Sequence, residues 1–165
     1  MADSMADGRT RVTWTAAIAA QALPTVAELN AGLLLSGNPP NSLITPDGLI
    51  GFEPTTRDVP TDALDSTFDT VDVGRISFSG TMLRLKKQTG TDTAYTTLGV
   101  LGVAGFIVIR RDVTSTTAWA SAQAISVYPV KSGEVRDLAP EKNSVRKYEV
   151  PLKIYIAPSI HAAVA

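Results

Sequence analysis

The stretch Val73–Lys87 reads VGRISFSGTMLRLKK and combines strand-forming residues with two successive hydrophobic patterns. In its first half Ile76 and Phe78 alternate with polar residues, whereas Leu83 and Leu85 take the opposite parity in its second half. Such a change of phase is typical of a β-bulge, or of a strand that passes from one packing environment to another. The stretch therefore predicts a β-rich fold.

The length of this predicted strand indicates pairing with other subunits. The thirteen residues Arg75–Lys87 extend ~43 Å as a strand. A globule of 165 residues has a diameter of only ~40 Å. A strand as long as its domain can hardly be covered along both edges by its own subunit, so we expect neighbouring subunits to cover it.

Further strands are predicted on both sides of this stretch. Lys147–Ile156 alternates with a period of two, as a half-buried strand does, and Pro151 indicates an edge or a bulge. Ala104–Arg111 is apolar on both faces, which is typical of a strand covered on both sides. Similar patterns predict strands at Ala124–Val130, Arg11–Thr15, Leu43–Ile44 and Leu49–Phe52.

Two short helices are predicted by their caps. Thr25 and Glu28 have the spacing of a capping box, and Gly32 stands where a left-handed C-terminal cap is expected. Asp92 is placed to cap a second helix over Thr93–Leu98, which Gly99 would end. Both helices are too short to form a bundle, so the fold is predicted to be mainly β.

Residues Glu53–Asp72 show no periodic pattern and are predicted to be a long extended loop. They contain two prolines, six acids and one arginine. A loop of about 20 residues is unusual in a compact domain and indicates a functional arm or a solvated flexible segment. Four apolar residues favour an arm that becomes ordered on a partner subunit: Val59, Leu64, Phe68 and Val71.

Size and composition predict one domain over residues 1–165. A hydrophobic content of 44% is sufficient for a core. The segments of about 1–8 and about 158–165 are expected to be flexible. The chain shows no secretory signal and no run of ~20 apolar residues, so we expect a soluble protein without a membrane anchor.

The sequence offers little for catalysis or ligand binding. It has no cysteine and one histidine, His161, in a C-terminal segment where an oriented catalytic imidazole is not expected. No spacing is typical of a metal site or a phosphate-binding loop, and the net charge of −1 gives no basic field for nucleic acid. We predict no enzymatic activity, no metal and no cofactor. Five basic residues are interpreted as solvated strand ends or as partners of the acidic loop: Arg84, Lys86, Lys87, Arg110 and Arg111.

Several segments in order resemble the tail tube proteins, or major tail proteins, of long-tailed bacteriophages, especially those that infect actinobacteria. The similar segments are PTVAELNAG at 24–32, GFEPTT at 51–56, GFIVIRRD at 105–112, ISVYPV at 125–130 and YEVPLKI at 148–154. None is specific alone, but the ordered set covers most of the chain. The segment Lys86-Lys87-Gln88 departs from the more acidic or aromatic ending of that family.

The resemblance implies a tail-tube fold, which is a small β-sandwich or open barrel with a flanking helix. Six subunits would form a ring, long hairpins would join into an inner barrel, and a long loop would reach the adjacent ring. The expected contacts between subunits and rings are Val59, Leu64, Phe68, Val71, Ile76, Phe78, Met82, Leu83 and Leu85.

The resemblance implies that the protein has a structural function. Rings would stack in the host cytoplasm around a tape-measure protein and meet tail tip and tail terminator proteins in the virion tail. DNA would pass through a neutral or acidic lumen without specific binding, because inward-facing basic residues repeated around each ring would hold its phosphates.

Two alternative functions remain. Another virion component with a β-sandwich, such as a tail terminator or a capsid decoration protein, would share most of these patterns. A monomeric carbohydrate-binding β-sandwich would need aromatic residues exposed on one face, and the only tryptophans are Trp14 and Trp119. Tubes, isolated rings or monomers in electron micrographs would separate the three classes.

Overall fold

The computed structural model describes residues 7–165, so most of the predicted flexible segment 1–8 lies outside the described residues. The strands are β1 Arg11–Thr15, β2 Leu33–Ser36, β3 Ile44–Ile50, β4 Thr55–Pro60, β5 Val71–Ser77, β6 Met82–Lys86, β7 Ala104–Arg110, β8 Ala124–Ser132, β9 Arg136–Asp137, β10 Lys147–Ile154 and β11 Ser159–Ala163. The helices are α1 Val26–Ala31 and α2 Thr93–Leu98.

Nine of these strands form one curled sheet. Its order is β2-β1-β7-β8-β10-β6-β3, with β11 paired to β8 and β9 paired to β10. The sheet is an open half-barrel, so the predicted mainly β fold with two short helices is confirmed. The strands β4 and β5 form a separate two-stranded sheet. We call residues 53–77 the arm and the rest of the subunit the body.

Two clusters of buried apolar side chains form the core. The larger cluster includes Ile107 and Tyr128. The smaller cluster lies against the alternate residues of β7 and β8, where Val108 and Val127 pack with Trp119. Because β7 separates the two clusters, it is apolar on both faces, and the prediction that this strand is covered on both sides is confirmed.

Both helices begin at the predicted caps. The hydroxyl of Thr25 accepts from the backbone N–H of Glu28, whose carboxylate accepts from the N–H of Thr25. The carboxylate of Asp92 accepts from the first turn of α2. The predicted left-handed conformation of Gly32 is wrong, since its φ is −74° and its ψ is 166°. Glycine is required there because a Cβ would lie 2.6 Å from the carbonyl oxygen of Trp14 in β1.

The C-terminal segment is a strand, and the prediction of a flexible tail over 158–165 is wrong. The strand β11 pairs with β8, and Ala162 and Val164 are buried in the smaller cluster. The backbone N–H of Ala122 donates to the carbonyl oxygen of Val164 at 2.8 Å. Alanine is depleted in strands, so this segment gives a weak sequence signal and is ordered by its packing. His161 lies on this strand with its side chain exposed.

Candidate assembly surface

The segment predicted as a loop without local structure is largely a β-hairpin. The strands β4 and β5 pair antiparallel from Thr55 opposite Ser77 to Pro60 opposite Val71, and residues 61–70 connect them. The hairpin is not visible in the sequence for two reasons. Aspartate and proline are depleted in strands, and neither strand has a buried face that would impose an alternating pattern.

Polar groups order the tip of the arm. The carboxylate of Asp62 accepts from the backbone N–H of Thr70 at 2.7 Å, and the hydroxyls of Thr61 and Thr70 lie 2.9 Å apart. The apolar side chains of the tip are not buried in this ordered structure, since Leu64 is 108% exposed and Phe68 is 76% exposed. An ordered tip that presents apolar groups to solvent is typical of an interaction surface.

Exposed apolar side chains are concentrated in the arm. Of the twelve large apolar side chains exposed within residues 7–165, six belong to the arm. They are Val59, Leu64, Phe68, Val71, Val73 and Ile76. A random distribution over the chain would place far fewer of them in this short segment, so the arm is the main apolar surface of the free subunit.

The stretch Val73–Lys87 is two strands and not one. Residues 78–81 separate β5 from β6, and Gly80 between them has a φ of +66°. The strand β5 belongs to the arm, whereas β6 lies in the body, where β10 and β3 cover both of its edges. The prediction of one long strand with uncovered edges is therefore wrong. The phase change marks the passage from the arm to the body.

The nine predicted contact residues fall into three groups. Leu83 and Leu85 are 0% exposed in the core of their own subunit, so their prediction as contacts between subunits is wrong. Phe78 and Met82 are half-buried, and Phe78 packs edge-on against Tyr128 with 6.0 Å between ring centroids. The remaining five are exposed on the arm, where a partner could cover them: Val59, Leu64, Phe68, Val71 and Ile76.

An apolar groove lies between the base of the arm and the connection from β10 to β11. It has a volume of about 530 Å³ and is lined by Ile76 and Phe78 on one side and by Ile154, Tyr155 and Ile156 on the other. Its rim remains open to solvent, because Tyr155 is 44% exposed and Ile156 is 52% exposed. No sequence pattern indicates this groove, since residues about 80 positions apart form it.

A pair of lysines lies beside this groove. Lys131 on β8 and Lys153 on β10 are direct cross-strand partners, and both are exposed. The Nζ atom of Lys131 lies 4.7 Å from the ring centroid of Tyr155, which also lines the groove. Within residues 7–165 neither lysine forms an ion pair with a carboxylate. The two lysines therefore form a positive patch, which Lys131 connects to the groove through its contact with Tyr155.

Charge is divided between the arm and the rest of the chain. The arm has six acids and two arginines, a net charge of −4, which leaves thirteen basic and ten acidic residues, a net charge of +3, elsewhere. The total of −1 hides this separation. An acidic arm on a chain whose remaining residues have a small net positive charge favours attraction between copies.

Two of the five basic residues predicted as solvated strand ends or partners of the acidic arm bind groups of the body. Arg84 forms ion pairs with Asp47 and Glu149 of the body. Arg110 is 0% exposed and donates to three backbone carbonyl oxygens of the β7–β8 connection. Burial lowers the pKa of the Arg110 guanidinium, and the nearby charge of Arg11 lowers it further. The interpretation of Arg84 and Arg110 as solvated ends or arm partners is wrong.

Two kinds of feature are absent from the described residues, a cluster of metal-ligating side chains and a membrane-spanning helix. Within residues 7–165 no group of three or more His, Cys, Asp or Glu side chains could hold a metal ion. In the same range, no helix has the length and apolar character needed to cross a membrane.

An open half-barrel with a projecting hairpin and exposed apolar surfaces is the architecture of a β-rich structural protein. A family model described as phage tail tube protein matches residues 1–165, the whole chain. The chain belongs to the phage tail tube protein family, and the resemblance seen in its sequence is confirmed. It is thus a structural component of the virion tail, from a family that is not typically enzymatic. A comparison with curated proteins gave no significant match.

Proposed function

We propose that the protein assembles into hexameric rings that stack into the phage tail tube and conduct DNA into the host. The observation that carries the proposal is the arm. It is an ordered hairpin outside the main sheet, and its apolar side chains are 46–108% exposed in the free subunit. These side chains leave water only when another molecule covers them, and their burial would stabilise an assembly.

Open strand edges support ring formation. Among the strands of residues 7–165, β4 and β5 pair only with each other, and β2 and β3 end the large sheet. The outer edges of β4 and β5 therefore offer backbone N–H and C=O groups to a neighbouring chain. The outer edge of β2 is partly used within the subunit, since the carbonyl oxygen of Leu35 accepts from the N–H of Leu43. Pairing of such edges around a ring would satisfy these groups without changing the fold of the subunit.

Charge supports passage of DNA without specific binding. The net charge of the chain is −1, so it has no overall excess of positive charge. A neutral or acidic channel wall releases no counterions on contact with DNA and so does not hold the phosphates. In this proposal the tape-measure, tail tip and tail terminator proteins are the partners, and assembly takes place in the host cytoplasm.

The environment of the tryptophans disfavours a carbohydrate-binding module. Trp119 is 4% exposed and lies beneath Arg110, whose guanidinium carbon is 5.0 Å from its ring centroid. Trp14 is half-buried and lies on β1. The indole of Trp119 therefore presents no open face on which a sugar ring could stack, and Trp14 alone is only partly exposed.

Electron microscopy of the purified protein at high concentration tests the proposal. We expect hollow tubes of stacked sixfold rings, because the arm links successive subunits. Isolated rings would favour a terminator, and monomers at all concentrations would contradict the proposal.

A shortened arm provides the matched variant. Replacing residues 62–69 by Asn-Gly joins Thr61 and Thr70, whose backbones already form a hydrogen bond from N–H to carbonyl oxygen, with a two-residue hairpin turn. The variant should fold, as judged by circular dichroism, but should form no tubes. Tubes of normal appearance from this variant would contradict a role of the tip in assembly.

A further inference from the structure

We infer that the apolar groove and the adjacent Lys131–Lys153 pair form the receptor for the arm tip of a second copy of this chain. The inference rests on the proposed tube and specifies which two surfaces join its successive subunits. Three features carry it: apolar complementarity, charge complementarity and the reach of the arm.

The tip and the groove are both apolar and both open to solvent. Leu64 and Phe68 project from the tip with exposures of 108% and 76%. The groove offers a volume of about 530 Å³, enough for two bulky side chains. Its lining includes Ile76, Tyr155 and Ile156, which are themselves 59%, 44% and 52% exposed. Docking of the tip would remove both sets of side chains from water.

The charges around these two surfaces are opposite. Asp65 and Asp69 flank the apolar residues of the tip and are exposed. Lys131 and Lys153 are direct cross-strand partners, and like charges in such positions destabilise a sheet. Carboxylates from a docked tip would relieve this repulsion. Tyr155 joins the two parts of the receptor, since its ring lines the groove and lies under Lys131.

The arm cannot place its tip in its own groove. The groove is lined by Ile76 and Ser77, which lie at the opposite end of β5 from the tip. The seven residues of β5 hold these ends ~20 Å apart. The occupant is therefore the tip of another copy. A contact between two different surfaces of identical chains is heterologous, and it propagates as a filament when it does not close into a ring.

Charge reversal of the receptor tests the inference. Lys131→Glu/Lys153→Glu should raise the critical concentration for tube formation about tenfold or more, because two attractions become repulsions; tenfold corresponds to ~1.4 kcal/mol per subunit. The matched control is Lys142→Glu/Arg146→Glu, which makes the same charge change at two exposed body positions. We expect the control to assemble like the unmodified protein.

The reciprocal variant tests the partner. Asp65→Lys/Asp69→Lys should block assembly to a similar extent, and the chain that carries all four changes should assemble again because the signs match once more. Asp62 is left intact, since its carboxylate binds the backbone of the tip.

The outcomes separate the inference from the proposed function. If the unmodified protein forms no tubes, the proposed function fails, and the inference fails with it. If it forms tubes and Lys131→Glu/Lys153→Glu forms them equally well, only the receptor is wrong. Failure of the four-change chain to assemble would also overturn the receptor and would indicate a different occupant, such as another tail protein.

Discussion

Replacement of Leu64 and Phe68 by serine should disrupt assembly without disturbing the subunit. Full burial of a Leu or Phe side chain contributes ~1.5–3 kcal/mol. With 108% and 76% of these side chains exposed in the free subunit, nearly all of that contribution is available on docking. Ordering of the docked side chains opposes it, so we expect a loss of about 3 kcal/mol per arm. That corresponds to a rise of about hundredfold in the critical concentration.

Stability of the subunit should change little in the same variant. Neither side chain is buried, and surface substitutions outside special sites change the free energy of unfolding by less than ~0.5 kcal/mol. The matched control is Val100→Ser/Leu101→Ser, which removes two side chains of the body that are 55% and 67% exposed. We expect this control to assemble at the concentration of the unmodified protein.

Sedimentation gives the critical concentration, electron microscopy identifies the sedimented particles, and urea unfolding monitors the subunit. The reasoning would be refuted if Leu64→Ser/Phe68→Ser sedimented at the same concentration as the unmodified protein. It would be refuted equally if the serine variant and its control lost assembly to the same extent, because the effect would then not be specific to the tip.

Two further predictions concern the free subunit. Arg110→Met should lower the free energy of unfolding by about 2–3 kcal/mol, because three carbonyl groups lose a buried donor. Arg111→Met, at an exposed neighbour, should change it by less than ~0.5 kcal/mol; equal urea midpoints for the two variants would contradict this. Burial, and next the nearby charge of Asp92, raise the pKa of Tyr148 well above its usual range. Below pH ~10 the tyrosine keeps its proton in the folded and in the unfolded chain, so the raised pKa costs no stability there. As the pH rises further, the unfolded chain releases the proton first, and the free energy of unfolding falls. Tyr148→Phe should reduce the alkaline loss of stability. At pH 7 it should change the free energy of unfolding by less than ~1 kcal/mol, since the hydroxyl has no hydrogen-bond partner within residues 7–165. An unchanged unfolding profile above pH 10 would show that other groups cause the loss.

Local patterns in the sequence determine the helix caps, the covered strand β7 and the apolar character of the arm. The capping box of Thr25 and Glu28 is readable because the hydrogen bonds between these two residues lie within four residues of sequence. The strand β7 is readable because burial on both faces leaves a continuous apolar run. The residues Leu64 and Phe68 are readable as possible anchors because apolar side chains in an acidic, aperiodic segment have no obvious core to join.

Strand pairing in the tertiary structure decides the rest. The arm is a hairpin with no buried face, so its register leaves no alternation in the sequence. Leu83 and Leu85 become core residues because β10 and β3 enclose β6. Lys131 and Lys153 are 22 positions apart, and only the β8–β10 register places them opposite each other beside the groove. Hydrogen bonds within one helical turn join residues that are close in sequence, so the sequence shows them. A surface made from several strands depends on the pairing registers of the whole folded sheet, which no local pattern shows.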